Sequence, residues 1–375
     1  MKTVLAGGAL ALLGLHASVA QARNADRHPL PEDDGADASA IVVSSPLLHP
    51  SAGLMNDHMH EDGEAMIGLR FERRRYSGAN ISGTDTISDE AILAAGYSVR
   101  ARSMEMDMVM LDLMYAPSQK VTLMLMPHYM WHRMEMVGID PMAGADMGGM
   151  DMTMSADQSG HAAMLPYGAV HAHGTEGFGD ALVSASYRLA RSDPFNAHAT
   201  LGLWLPTGSV EKKNPDGTYV HYGMQPGSGT WDIEPSLTVS GRKGDFGWGA
   251  QGLYRWRALD RNDAGFAFGD KAQVSGWASY RMAPSLGTTA RVEYVHEGPV
   301  EGHYDGPHKH ASAADLQGNY GGDTVSLGLG LNWFMPVGRR SPQLSAELAL
   351  PVHQDLGGIQ LPQDWRLSVG ISQTF

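Results

Sequence analysis

Methionine and histidine recur in this chain at a spacing of two. Met104, Met106, Met108, Met110 and Met114 share one parity with Asp112. A few residues on, Met124, Met126, His128, Met130, His132 and Met134 do the same. Thioether sulfur is a soft, neutral ligand that suits Cu(I) or Ag(I), and imidazole takes either copper state. A row of weak sites, each easy to leave, suits conduction better than storage. Methionine is also a flexible apolar residue that fills irregular space, so the same row reads equally as packing. Two outlying groups favour ligation. Met55, His58, Met59 and His60 stand just ahead of the first run, and Met142, Met147, Met150, Met152, Met154, His161, Met164, His171 and His173 follow Met134 and Met136 in one long connection. An exposed loop has no core for methionine to fill. A third group, His303, His308 and His310, sits in an acidic loop and reads as solvated.

A spacing of two is that of a β-strand, whose successive side chains point to opposite faces. The opposite parity of the methionine runs carries Val109, Leu111, Leu113 and Tyr115, then Val121, Leu123, Leu125, Tyr129 and Trp131. If the two runs form a hairpin about Ala116–Gln119 in simple register, Met110 faces Met126 and Met108 faces His128. The pattern continues to the C-terminus, where Trp365, Leu367, Val369, Ile371 and Phe375, with Gln373 the one polar exception, oppose Arg366, Ser368, Gly370, Ser372 and Thr374. Apolar outside and small or polar inside is the signature of a transmembrane barrel strand. Twelve strands are expected, at 64–76, 103–115, 120–134, 179–190, 196–206, 230–241, 246–258, 270–282, 286–297, 323–335, 343–350 and 364–375. Short connections (116–119, 191–194, 241–245, 283–285, 336–342) alternate with longer ones (77–102, 135–178, 207–229, 259–269, 298–322, 351–363). This predicts an all-β antiparallel barrel with periplasmic termini and long extracellular loops. Ser88 caps a short helix in the first long loop.

Composition agrees. The chain has 46 Gly, 20 Pro, 23 Met and 17 His among 375 residues, 18% charged residues and a net charge of −14. The negative charge argues against nucleic acid as a partner. Cysteine is absent, which excludes disulfide scaffolds and thiolate metal sites. Lys2, the apolar run 4–15 and Ala20-Gln21-Ala22 read as a secretory signal peptide over 1–22. Residues 23–63 read as a polar periplasmic segment carrying the first Met/His cluster, and 64–375 as the outer-membrane barrel. No later stretch is long and apolar enough for a spanning helix. Trp248, Tyr254, Trp256, Trp333 and Trp365 fall near strand ends on the outward parity, where aromatic girdles belong. Arg70, Glu72, Arg74, Asp232, Glu234, Arg255, Arg257, Arg291, Glu293 and Glu347 fall on the inward parity, so the lumen is wet or ion-paired.

Several motifs are distinctive: Asp57-His-Met-His60 with Gly63-Glu-Ala-Met66, Met104-Glu-Met-Asp-Met108, Leu113-Met-Tyr-Ala-Pro117, Val121-Thr-Leu-Met-Leu-Met126, Gly179-Asp180, Leu205-Pro-Thr-Gly208 and Gly227-Ser-Gly-Thr-Trp-Asp232. Together, over most of 55–375, they resemble a Met-rich branch of the bacterial outer-membrane transporters grouped with the phenol meta-cleavage pathway proteins, some of which carry an alpha-amylase label. Phe71-Glu-Arg-Arg-Arg-Tyr76 departs from that branch, where a further Met-containing strand is expected. The resemblance implies an outer-membrane barrel whose cargo is either hydrophobic aromatic compounds or copper.

Three functions follow. The leading one is an outer-membrane channel handling copper or another soft metal, with Cu(I) or Ag(I) as the ligand the ladder suits. The alternatives are a channel for small hydrophobic or aromatic compounds and a non-transporting surface protein that sequesters metal. An enzyme is not expected: no His-x-Ser-Asn-Gly-like nucleophile motif or Gly-x-Ser-x-Gly is present, and no strand–helix alternation supports a (β/α)₈ barrel. The expected partners are outer-membrane lipid and the barrel assembly machinery, which reads the terminal Phe375.

Overall fold

The computed structural model describes residues 48–50, 52–143, 165–192, 194–335 and 342–375. The expected signal peptide, and Met147, Met150, Met152 and His161 of the predicted ligands, lie outside the described residues. Alternating apolar and polar side chains build twelve long strands. They are β1 Ala65–Ser77, β2 Val99–Ser118, β3 in two runs, Val121–Met126 and His128–Gly138, and β4 in two runs, Val170–Phe178 and Ala181–Ser192. The ring continues through β5 Phe195–Leu205, β6 Asp232–Lys243, β7 Phe246–Arg257, β8 Lys271–Ala283 and β9 Leu286–Glu297. It ends with β10 Gly322–Phe334, β11 Gln343–Gln360 and β12 Gln363–Thr374. Each strand pairs antiparallel with its neighbours in chain order, and β1 pairs with both β2 and β12. The sheet is therefore closed, which leaves no edge to satisfy.

The wall has the polarity of a membrane barrel. Leu69, Leu123, Leu201, Leu237, Val274, Leu329 and Ile371 are exposed on the outside. Ser184, Thr238, Ser275, Arg291, Glu293 and Glu347 are buried within. Trp248, Tyr254, Trp256 and Trp333 are exposed aromatics toward the strand ends, while Trp365 is half-buried. On β1 and β2 the outward apolar series stops at Phe71 and Val109. Above it lie outward ion pairs, Arg73 with Asp107 (2.6 Å) and Arg75 with Glu105 (3.2 Å). A bilayer needs only about ten residues of tilted strand, whereas β2 has 20. The long-loop end of the wall therefore rises beyond the lipid band. Among the described residues no helix is long and apolar enough to cross a membrane.

The expected strands all form, with four differences. β2 starts at Val99 and runs on through Ala116 and Pro117 to Ser118, so the turn is Gln119-Lys120 and a bulge lies between Tyr115 and Ser118. This shifts the ladder by two residues from simple register. Met110 pairs with His128, Met108 with Met130, Met106 with His132 and Met104 with Met134. β4 starts at Val170 rather than 179, because the ladder tolerates the glycines at 174 and 177 that interrupt the pattern. His171 and His173 thus stand on a strand opposite Met136 and Met134, not in a loop. β11 continues to Gln360, so the long connection expected over 351–363 shrinks to residues 361–362. Past Pro351 the strand stays on β10 through Leu356, and from Leu356 to Gln360 it pairs on its other side with Ile81–Gly83. Pro127, which has no N–H to donate, splits β3. The expected helix appears as Asp89–Ala94, with the Ser88 side chain accepting from the Ala91 N–H.

Candidate functional site: a two-faced lumen between a plug and a lid

The described residues ahead of β1 lie inside the ring. The sequence places 23–63 in the periplasm; its described part instead lines the inner wall at the short-turn end. The backbone oxygens of Met55 and Asn56 accept from Gln251 Nε2 (3.0 and 3.2 Å), and that of Asn56 also accepts from His198 Nε2 (2.9 Å). Ser184 Oγ donates to Asn56 Oδ1 (3.0 Å), Asn332 Nδ2 to the His49 oxygen (3.0 Å), Arg70 to the Leu54 oxygen (3.2 Å) and Arg188 to the His60 oxygen (3.1 Å). The partners come from β1, β4, β5, β7 and β10, so residues 48–60 form a plug held from every side. Asn56 is the one non-glycine residue with positive φ (54°) among those described. Asparagine tolerates that conformation better than most residues.

The plug carries His58, Met59 and His60, and His49, which sequence reasoning passed over. His49 and His58 have ring centres 5.0 Å apart, as do His58 and His60. Asp57 lies between, 3.0 Å from His58 Nδ1 and 3.6 Å from His49 Nδ1. Burial pushes His49 down to about 4 and His60 to about 3, the charge on His58 adding to each. Burial would lower His58 too, but the Asp57 charge and hydrogen bond raise it. Burial would raise Asp57, and His58 overcomes this and holds the carboxyl well below its usual range.

At the long-loop end, connections 206–231, 258–270 and 298–321 fold into a lid. Tyr304 is stacked between Tyr219 and Tyr222 at 4.3 and 4.4 Å, and Phe266 packs edge-on to Tyr222 at 4.8 Å. His221 Nδ1 meets Asp315 Oδ1 at 2.8 Å. Met224 and Val220 pack on Met134 and Met136 of the wall. His308 and His310 contact each other at 4.6 Å, and His303 Nδ1 lies 3.0 Å from the Tyr304 oxygen.

A cavity of about 530 Å³ lies between plug and lid. One wall is thioether and imidazole: Met104, Met106, Met108, Met130, His128 and His132. The facing wall is charged and mostly paired. Arg255 Nε meets Glu234 at 2.7 Å, Arg366 meets Glu293 at 2.8 Å and Arg257 pairs with Asp232, while Arg74 meets Glu72 at 2.7 Å on β1, beside the methionines and cross-strand from Met106 and Met108. Trp204 joins the two. Its Nε1 donates to Glu234 (3.1 Å), Arg255 lies 3.9 Å over its ring, and His128 approaches its edge at 6.2 Å.

The ladder expected from the sequence is thus present on the lumen wall but unequally exposed. Met124, Met126 and Met110 pack with Met66, Met114, Leu182 and Trp204 into a floor that Met55 completes. Met126 also reaches the cavity. His132 Nδ1 lies 3.2 Å from Thr175 Oγ1, and its Nε2 has no hydrogen-bond partner; nor has His128 Nδ1. His128 lies directly over Gly179, where a Cβ would be 1.9 Å from Nε2. The ladder, the plug histidines and the lid histidines are three separate groups. His171 and His173 stack at 5.7 Å, and His173 approaches lid His221 at 5.1 Å, away from the ladder centre. Asp180 of the Gly179-Asp180 motif is a hub. It accepts from the Gly208 N–H (2.9 Å), the Ser228 N–H (2.7 Å) and Ser228 Oγ (2.7 Å), drawing three motifs together.

A closed antiparallel ring with an apolar exterior, aromatic girdles and a polar interior defines a bacterial outer-membrane β-barrel. Residues 136–345 match the family described as putative MetA-pathway of phenol degradation, and the chain belongs to that family. In fold it is similar to an outer membrane channel from Pseudomonas putida F1, at 15% identity and a TM-score of 0.53 over 85% of this chain and 98% of that one. Weaker likeness extends to the P. putida toluene transporter TodX, at 9% identity and a TM-score of 0.38 over 84% and 91%. No curated protein matches the chain in sequence.

Proposed function

We propose that this barrel is a channel for small aromatic or otherwise hydrophobic compounds carrying a polar group. The observation that carries this reading is the two-faced cavity of about 530 Å³ between plug and lid. Small-molecule sites of that size are largely apolar with a few placed polar groups. Here Met104, Met106, Met108 and Met130 offer a polarizable apolar wall that adapts to flat rings, while Arg255 and Glu234 face it. The family's description, phenol degradation, supports the same class of cargo.

The test is uptake by liposomes carrying the refolded barrel, comparing phenol or benzoate with a sugar. The ring compounds are expected to enter several-fold faster. Met108→Lys with Met130→Lys should slow them selectively, because two ammonium groups replace the apolar wall. Equal flux of ring and sugar, or no effect of the lysines, rejects the reading.

Soft-metal handling is the second reading, favoured by the cross-strand pairs Met106–His132 and Met110–His128. Replacing the ladder methionines with leucine keeps bulk and apolarity but removes sulfur. Hydrophobic flux should then persist. A loss of Cu(I) or Ag(I) binding in that variant would favour metal; unchanged binding would remove the metal reading.

A further inference from the structure

Apart from the cavity, the plug holds a second constellation. The ring nitrogens of His49 and His58 and a carboxylate oxygen of Asp57 all lie within 4.8 Å of one another. Among the described residues no other group of three His, Asp or Glu ligand atoms is so close. The separations are those of a metal centre. With Zn–N bonds of about 2 Å, two imidazoles on one tetrahedral ion have ring centres roughly 5 Å apart, and these stand at 5.0 Å. Asp57 Oδ1 lies 3.0 Å from His58 Nδ1 and Oδ2 lies 3.6 Å from His49 Nδ1, close to ligand–ligand spacings around a single ion. His60 stands next to the group. Its ring is 5.0 Å from His58, it is 94% buried, and its Nε2 has no hydrogen-bond partner.

The surroundings fix the ligands. Asn332 Nδ2 holds the backbone at His49. Ser184, His198 and Gln251 hold Asn56, the left-handed residue immediately before Asp57. A strained residue clamped by side chains from three strands, next to clustered ligands, is the pattern of a functional position.

We propose that the plug binds one divalent transition-metal ion of the zinc or copper(II) class through His49, Asp57 and His58. Two imidazoles and a carboxylate suit these borderline ions, whereas Mg²⁺ and Ca²⁺ demand oxygen ligands. The ion closes the loop from 49 to 58 and fastens the plug within the lumen. The site lies outside the methionine wall, so its success or failure leaves the cargo reading untouched.

The test uses the refolded mature barrel and Zn²⁺ alone as probe, because thioether sulfur competes poorly for it. Titration calorimetry should find a Zn²⁺ equivalent whose affinity falls at least tenfold in His49→Gln and in Asp57→Asn. The double variant His171→Ala with His173→Ala should keep it. Zn²⁺ should also protect residues 48–60 of the wild-type barrel from proteolysis, and Asp57→Asn should abolish that protection. Asp57→Asn preserves shape and a hydrogen-bonding oxygen, so it decides the matter should a histidine variant fail to assemble. No Zn²⁺ binding by the folded wild-type barrel, or undiminished affinity in folded Asp57→Asn, overturns the proposal.

Discussion

Asp180 holds more of the lid than its place in the sequence suggests. Its carboxylate accepts three hydrogen bonds inside the wall, two from backbone N–H groups. Removing it strands those donors, and each unsatisfied buried group costs about 1–3 kcal/mol. Asp180→Ala should therefore destabilise the loop 206–231 by roughly 3 kcal/mol or more while the ring stays closed. The expected readout is protease cleavage in that loop with heat-modifiable mobility retained. Asp180→Asn, which keeps one acceptor, should fall between. At this scale the sequence was legible where side-chain type alone decided the role. The inward parity of Met104 to Met110 and of His128 to His132 follows from alternation. The role of Asp180 does not, because its partners lie 28 and 48 residues away in loops without period. His49 was hidden for a similar reason: only folding brings it to Asp57.

Plug and lid narrow the lumen at its two ends, and each can be tested separately. Deleting residues 48–60 removes backbone acceptors, whose partners Gln251, His198 and Asn332 then meet water. Single-channel conductance should rise several-fold in that variant; unchanged conductance would mean the lid alone limits flow. The lid should respond to acid. Burial would raise Asp315, but its hydrogen bond and charge interaction with His221 and the Ser312 N–H hold it below the ordinary carboxylate range. A carboxyl depressed in the folded state stabilises fully above its unfolded value, and that stability is lost as pH falls below about 4. Limited proteolysis of 298–321 should therefore increase below that pH, and Asp315→Asn should show the increase already at neutral pH. Elements were legible from the sequence wherever period two persisted. Glycines at 174, 177, 357 and 358 mimic turn signals, so β4 and β11 extend beyond their expected ends. The plug has no period at all, and its shape is imposed by the wall.

At the scale of the whole molecule, the ring depends on one seam. Ala65 and Phe375 exchange both backbone hydrogen bonds, 3.3 Å from the Ala65 N–H and 2.7 Å from the Phe375 N–H. β1 and β12 pair from Met66–Thr374 to Tyr76–Gln363. The Phe375 ring is 44% exposed on the outer face, whereas Ser372 pairs with Gly68 on the inner one. Deleting Phe375 should lower outer-membrane levels several-fold, while Ser372→Ala should not; equal levels would remove any special role for the terminal ring.

That seam also orders events in time. It joins the first wall strand to the last, so the loop it closes spans nearly the whole barrel, and ends so far apart meet late. The plug precedes β1 in the chain but takes its partners from β1, β4, β5, β7 and β10. Those acceptors and donors converge only as the sheet curls into a ring. A segment made before any wall strand is thus among the last to find its place, and the cavity exists only once the first and last wall strands have met around it.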